Sequence, residues 1–378
     1  MFLKKKCDIY YVRNLISLIH CVSVLKQIKN SNYKILFLNY YWINKKTFIF
    51  LKNFFKIYFD EIVTLNFSSK NLYNNVSSKK FNSVEKIFIR RQKLNKFSKK
   101  IIIDLKKFDI RNIFSGGDDF HLLFKNYNKI YFIEHGVGNY RDGLIFKKKK
   151  ITTIINFFLK YLNYFFSNFI YSKKYDGYFS LLSNKIKLKP IINNYKTAYI
   201  NIKKEYMLST LNDMSYYIKK NVDLPNFTQK KKIFINLTGL KYINELENNK
   251  IIEKIISNID NNEIVILKDH PRYVALDNRI KKDLLKKLKK NKIKFFVIKK
   301  SILKNIPLEL FIYLVSSNKI ISAWSSVSFF CAILFDDLKF KNIMLFDYCM
   351  KYPYDDESKR DKVFFSIIKN KFKNIKFL

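Results

Sequence analysis

The sequence predicts an α/β protein of two domains, each built on a mainly parallel sheet. Three observations carry this expectation. Short runs of β-branched and aromatic residues alternate with longer stretches whose apolar residues recur at helical spacing, the pattern of βαβ units. A length of 378 residues suits two hydrophobic cores better than one. The alternation also loosens between about 180 and 230 and then resumes, which places a boundary near 200–230 and domains at 1–205 and 230–378. With 48% hydrophobic and 17% aromatic residues, both cores can be filled and global disorder is excluded.

The first half reads in order as a strand at 8–12, a helix over Leu15–Ile28, a strand at 34–38 (KILFL) and a strand over Glu61–Leu65 (EIVTL). Helical spacing follows at the front and back of 84–108, around a basic RRQKLNK. A strand at 112–115 ends in Gly116-Gly117-Asp118-Asp119, where the two aspartates suit a helix cap. The strand Lys129–Ile133 ends in Glu134-His135-Gly136. Residues 151–171 are the most apolar stretch, behind four lysines at 147–150. Asn156, Lys160, Asn163 and Asn168 argue against a membrane span. A buried helix and an interfacial helix held by the lysines are both compatible with it.

The second half opens with a strand at 233–237 and a helix near 244–258, then a strand at Glu263–Leu267. A basic helix near 278–291, a strand at 294–298, a helix start at 306–310 with Pro307 in its first position, and a strand at Lys319–Ser322 follow. A last helix runs to about Phe335.

The formal charge of +43 admits two readings, an anionic partner or lysine filling the surface of a chain rich in Lys, Asn and Ile. No zinc-finger spacing, RNP aromatics or GXXG clamp supports nucleic acid as that partner. No Walker A loop or GxGxxG supports ATP hydrolysis or NAD binding. Cys7, Cys21, Cys331 and Cys349 share no CxxC spacing and read as buried thiols of a reducing compartment. The N-terminal stretch is a poor signal peptide, interrupted by Asp8, Arg13 and Asn14, so a cytoplasmic protein is expected. His20 sits on the apolar face of the first helix and reads as a core histidine, and His121 has no second histidine nearby to make a metal site.

Chemistry is concentrated at strand ends. Five of the seven glycines lie between Gly116 and Gly143, around Glu134 and His135. A carboxylate and an imidazole at a strand's C-terminal end, before a glycine turn, stand where open α/β sheets bind ligands. Lys268-Asp269-His270-Pro271-Arg272 follows a strand directly, with proline fixing the turn. Glu309 opens a helix, and Ser325-Ser326-Val327 joins a strand to a helix, where hydroxyls and backbone N–H groups suit an anion.

In this order the motifs resemble those of bacterial sialyltransferases, particularly the polysialyltransferase type: an acidic-acidic-Gly motif, an HP motif and a serine motif over roughly 130–330. The resemblance implies a GT-B-like architecture of two Rossmann-like domains facing a cleft, an acceptor-side domain at 1–205 and a nucleotide-sugar-binding domain at 230–378. It implies inverting transfer of sialic acid, or a related nonulosonic acid, from a CMP-activated donor to a glycan, with no metal and no cofactor. Glu134 matches the general base of the first motif, but its second position is His135 rather than an acid. Either side chain can then be the base. His270 would assist departure of the phosphate, Ser325 and Ser326 would bind that phosphate, and Glu309 would take the ribose hydroxyls. Teichoic-acid-type glycerophosphotransferases, which use CDP-polyol donors, are similar at His135-Gly136 and Ser325-Ser326-Val327. The resemblance implies a transferase of capsule or lipopolysaccharide synthesis, whose cationic surface contacts an anionic membrane or a polyanionic acceptor at the cytoplasmic leaflet.

Overall fold

The strand runs of the first half line up side by side in the computed structural model. It describes residues 4–12, 14–39, 45–65, 105–116, 127–134, 136, 140, 175–187, 191–192, 195–224, 231–236, 245–268, 278–299, 301–322, 325–336, 339–345 and 356–378. The strands are β1 (Lys5–Val12), β2 (Tyr33–Asn39), β3 (Glu61–Leu65), β4 (Phe108–Ser115), β5 (Lys129–Ile133), β6 (Gly177–Ser180) and, after the short antiparallel pair β7 (Ile191–Ile192) and β8 (Tyr195–Lys196), β9 (Tyr199–Asn201). They form a seven-stranded parallel sheet in the order β3-β2-β1-β4-β5-β6-β9. The helices α1 (Leu15–Ile28) and α2 (Lys45–Phe55) cross between its strands.

The starts of β1 and β4 differ from the sequence reading for one reason, polarity. β1 begins at Lys5, before the apolar run, and the Lys5 ammonium lies 3.9 Å over the Tyr33 ring of β2. β4 begins at Phe108, in a stretch predicted helical. Phe108 stacks on Tyr33 with ring centroids 5.1 Å apart, while Arg111 and Asp109 pair on the outside at 2.7 Å. The sheet is held by cross-strand aromatic stacking as well as by aliphatic burial. Tyr10 stacks on Phe114 at 4.7 Å, and Phe114 on Tyr131 at 5.1 Å. Gly177 continues that row without a side chain: a Cβ there would lie 2.7 Å from Ile200 Cδ1 and 3.2 Å from Tyr131 Cδ1. Buried Asp8 accepts the amides of Asn30 at 2.5 Å, Asn32 at 3.1 Å and Asn112 at 2.8 Å. These bonds satisfy the carboxylate without a cation and tie the turn after α1 to β4.

The second sheet is six-stranded and parallel, in the order β12-β11-β10-β13-β14-β15. Its strands are β10 (Lys231–Asn236), β11 (Glu263–Leu267), β12 (Phe295–Val297), β13 (Lys319–Ser322), β14 (Lys341–Met344) and β15 (Ile375–Phe377). The helices of this half are α3 (Ser183–Ile186), α4 (Lys204–Asn221), α5 (Glu245–Ile256), α6 (Asn278–Lys290), α7 (Ser301–Asn305), α8 (Leu308–Leu314), α9 (Ser326–Leu334) and α10 (Asp356–Ile368). The centres of β10, β11 and β13 are buried apolar runs, Ile233–Ile235, Val265–Leu267 and Ile320–Ile321, as strands covered on both faces must be. Ile251, Ile252 and Ile255 of α5 and Ile280, Leu284 and Leu288 of α6 pack with β10 and β11 in one cluster. Each such side chain, fully buried, contributes about 1.5–3 kcal/mol. At the start of β13 the buried Lys319 ammonium meets the buried Glu263 carboxylate of β11 at 2.7 Å and donates to the Asn258 carbonyl at 2.8 Å.

By chain contacts the protein divides into two units, Met1–Ser180 with Leu188–Ile202, and Leu181–Lys187 with Lys203–Leu378. The stretch that reads as loose in sequence thus holds an 18-residue helix, α4, which belongs to the second unit. α3 belongs there too, where Lys371 donates to the Ile186 carbonyl. No helix among the described residues is long and apolar enough to cross a membrane. The 151–171 stretch and the lysines before it lie outside the described residues.

Candidate functional site

In both sheets the strand order reverses once. In the first, β1 lies between β2 and β4; in the second, β10 lies between β11 and β13. The crossovers run in opposite directions from that point, which opens a crevice at the C-terminal strand ends where α/β sheets bind ligands. Among the described residues, Glu134 directly follows β5, Lys268 directly follows β11 and Ser325 lies three residues beyond β13.

In the first unit, α1 starts at the C-terminal end of β1. Asn14 caps it by accepting the Ser17 N–H at 2.8 Å. Gly116, just past β4, donates its N–H to the Tyr11 carbonyl at 2.8 Å. Glu134 ends β5 and is fully buried. Its Oε1 lies 2.8 Å from the Tyr140 hydroxyl and 2.9 Å from Ser180 Oγ, and the two hydroxyl oxygens also touch; with one hydrogen each, two of these three contacts are hydrogen bonds. Its N–H donates to the Phe179 carbonyl at 2.9 Å, and its own carbonyl accepts from His20 Nδ1 at 2.7 Å. A carbonyl only accepts, so Nδ1 carries the hydrogen. Burial pushes the His20 pKa down to about 4, opposed by that bond, and the imidazole is neutral at physiological pH. Burial, and then the neighbouring Glu134 charge, push the Tyr140 pKa well up, so the phenol keeps its proton and donates. Gly136 has φ 155°, a value open to glycine and strained for other residues.

In the second unit, Ser325 is the N-cap of α9. Its backbone is extended, and its Oγ accepts the Val327 N–H at 3.3 Å. A hydroxyl that accepts in this way keeps its proton for donation to an anion. Ser326 is the first helical residue and is half-buried. Just before them, Ser322 at the end of β13 bonds to Ser328 at 2.6 Å between the hydroxyl oxygens, which ties the strand end to the helix. Glu309 lies in the first turn of α8, where Pro307 is the cap rather than the first helical residue predicted, and α8 packs on α9. The Glu309 carboxyl is buried, and its pKa rises to about 7 because burial outweighs its own backbone N–H and the charge of Lys268. Lys268 directly follows β11 and opens the Lys-Asp-His-Pro segment. Glu309 also acts on Cys331 of α9, whose thiol is raised first by burial and then by this carboxyl.

The structure therefore brings Glu309, Lys268 and the helix that starts at Ser325 and Ser326 into one neighbourhood of the second unit. It places Glu134 in a buried cluster of the first. His135, His270, Asp118, Asp119, His121 and Cys349 lie outside the described residues. His20, Tyr140 and Ser180 were not among the sequence candidates for the site, and Lys268 was named only as the first residue of the Lys-Asp-His-Pro-Arg motif. Tyr140 lies six residues from Glu134, whereas Ser180 and His20 reach it across 46 and 114 residues. Cys7, Cys21 and Cys331 are buried free thiols. Among the described residues no group of three or more His, Cys, Asp or Glu could hold a metal ion.

Fold and strand-end sites together define a GT-B-like α/β protein of two Rossmann-like units. Solved structures agree at the level of fold. The chain is similar to an α/β-galactoside α-2,3-sialyltransferase from the luminous marine bacterium Photobacterium phosphoreum, with 12% identity, 99% of each chain covered and a TM-score of 0.52. It is also similar to a UDP-GlcNAc 2-epimerase from Methanocaldococcus jannaschii, with 14% identity, 99% of this chain and 88% of that one covered, and a TM-score of 0.48. A glycosyltransferase from Rickettsia africae matches with 16% identity, 98% and 95% coverage, and a TM-score of 0.45. No family model and no curated protein matches the sequence.

Proposed function

We propose that this chain is an inverting glycosyltransferase that moves sialic acid, or a related nonulosonic acid, from a CMP-activated donor to a surface glycan. The observation that carries the reading is the placement of Glu134, Lys268 and Ser325 just past C-terminal strand ends, with Glu309 in the first turn of α8, in the chain order of the sialyltransferase-type motifs. The α-2,3-sialyltransferase fold supports it independently of those motifs.

The 1–205 part would take the acceptor and the 230–378 part the donor. An acceptor hydroxyl gives its proton to a base at Glu134-His135, and its oxygen bonds to the anomeric carbon. The bond from that carbon to the phosphate oxygen breaks, and its electron pair leaves on CMP. In the second unit, Ser325 and Ser326 donate to the phosphate, His270 neutralises it as it departs, and Glu309 takes the ribose hydroxyls. The chemistry uses proton transfer and hydrogen bonding alone, so neither metal nor cofactor enters it. Peripheral contact with an anionic membrane at the cytoplasmic face would be served by the lysines at 147–150 and the apolar stretch 151–171.

The test is release of CMP by purified protein from CMP-sialic acid, compared with CDP-glycerol, in the presence and absence of a chelator. Release from CMP-sialic acid that the chelator leaves unchanged, and that His270→Ala lowers by about 10²–10⁴-fold, is the expected result. Turnover of CDP-glycerol alone would replace sialyl transfer with polyol-phosphate transfer.

A further inference from the structure

The helix α2 joins β2 to β3 at the outer edge of the first sheet, and its two sides differ in composition. Thr47, Leu51, Phe54 and Phe55 are buried and seat the helix on the core of the first unit. Helical spacing then leaves Lys46, Ile49, Lys52, Asn53 and Lys56 on the opposite side. Lys46, Ile49, Asn53 and Lys56 are exposed there, and Lys52 is half-buried. Ile49 is 57% exposed, and Ile57, in the turn that ends the helix, is 73% exposed. Isoleucine is β-branched and only a moderate helix former, so neither propensity nor packing accounts for it on this side. One exposed apolar residue is ordinary, but these two share their side with three lysines. In the same turn Tyr58 packs on Phe54 with ring centroids 5.4 Å apart, and the Lys26 ammonium of α1 lies 5.5 Å from the Tyr58 ring centroid. No acid occurs from Lys46 to Phe59. Asp60, the next acid, accepts the Lys34 N–H at 2.7 Å, which turns its carboxylate to the start of β2.

We propose that the outward side of α2 is a membrane-docking surface: Ile49 and Ile57 enter the interfacial layer of an anionic lipid bilayer, and Lys46, Lys52 and Lys56 meet the lipid phosphates. An anionic lipid surface matches this charge. A second copy of the chain does not, because two-fold pairing would set lysine against lysine. The inference goes beyond the transferase reading and does not depend on its chemistry. β3 lies two strand spacings, about 10 Å, from β1, whose C-terminal end borders the crevice of the first unit. Docking along α2 therefore holds that crevice beside the lipid surface, the place of a lipid-anchored acceptor.

The experiment is flotation of the full chain with vesicles of phosphatidylcholine alone and of phosphatidylcholine mixed equally with phosphatidylglycerol. Binding is expected on the mixed vesicles and should weaken as salt rises. Ile49→Ser combined with Ile57→Ser should lower the partition coefficient about tenfold or more. Each of Lys46→Gln, Lys52→Gln and Lys56→Gln should lower it about fivefold. None of the five side chains is buried, so the variants should keep the wild-type unfolding midpoint.

Ile57→Trp provides a second readout. Its emission should move to the blue with mixed vesicles, whereas that of Tyr216→Trp, at a 71% exposed position of α4 in the second unit, should not. A wild-type chain that does not float, isoleucine variants that float as well as the wild type, equal binding to pure phosphatidylcholine, or an Ile57→Trp emission unmoved by vesicles would each overturn the proposal. CMP release tests the transferase reading separately: vesicle binding that depends on α2 stands whether or not CMP-sialic acid is turned over.

Discussion

Replacing Glu309 with glutamine should make the second unit more stable at pH 8 and much less so at pH 5. Burial lifts the Glu309 pKa from an ordinary 4.5 to about 7. The folded pKa is raised, so the favourable contribution is fully present below the unfolded value and is lost as pH rises through the folded one. At pH 8 the folded protein holds a buried carboxylate, at a penalty of roughly 2.5 pKa units, or about 3 kcal/mol. Glutamine has nearly the same shape and no such ionisation. Relative to the wild type it should therefore gain up to about 3 kcal/mol at pH 8 and little at pH 5. For a unit of this size, that gain corresponds to about 6–12 °C in Tm. Trp42 and Trp324 are the two tryptophans, so in a Trp42→Phe background fluorescence reports on the second unit during urea unfolding. CMP affinity should fall in the same variant, because ribose hydroxyls would lose a charged acceptor, worth about 1.5–3 kcal/mol. A stability difference that is equal at the two pH values would refute the reasoning, since the whole effect resides in the ionisation.

Three further expectations concern stability and the donor site. His20 refuses in the folded state a proton that the unfolded chain takes, because its pKa falls from 6.5 to about 4. Stability should therefore be intact above pH 6.5 and drop by about 1.4 kcal/mol per unit down to pH 4, and His20→Gln should flatten that slope in urea titrations; equal slopes would contradict it. Gly177→Ala forces a Cβ to within 2.7 Å of Ile200 and should lose about 1–3 kcal/mol, read as a lower unfolding midpoint. Ser325→Ala removes a helix cap and should lose about 1 kcal/mol together with CMP affinity. Ser326→Ala, which removes no cap, should lose affinity alone in calorimetry.

The fold was most legible where strands carry a run of β-branched and aliphatic residues. EIVTL at Glu61–Leu65 and EIVIL at Glu263–Leu267 announce themselves, and the structure places β3 and β11 on those residues. β6 reads GYFS and β9 reads YIN, each too short and too mixed to separate from loop by pattern, and only their parallel pairing makes them strands. α4 stayed hidden because its buried face mixes Met207, Leu211, Met214 and Ile218 with Thr210 and Ser215, which dilutes the apolar period. At the site, the chemistry-bearing residues are visible in sequence, but their surroundings are not. Glu134 stands out beside its glycines, whereas the hydroxyl and imidazole that fix it arrive from β6 and α1. Likewise Glu309 follows a proline, and nothing local to it signals that its carboxyl is buried close to Lys268.

A chain drawn largely from isoleucine, lysine, asparagine and phenylalanine faces a problem of alignment. EIVIL and KIIS could slide by two residues along neighbouring strands and still bury almost the same surface. The Lys319–Glu263 ion pair opposes this degeneracy, because a slide of two residues pulls the 2.7 Å contact apart and takes the cation from the buried Glu263 carboxylate. An uncompensated buried charge costs about 3–5 kcal/mol, more than such a slip could recover elsewhere. The pair thus behaves as a key cut for one alignment of the second sheet. Glu263→Leu with Lys319→Leu should hold or raise the unfolding midpoint while refolding yields several species, visible as doubled amide resonances. Refolding of that double variant to a single set of resonances would place the alignment signal elsewhere in the sheet.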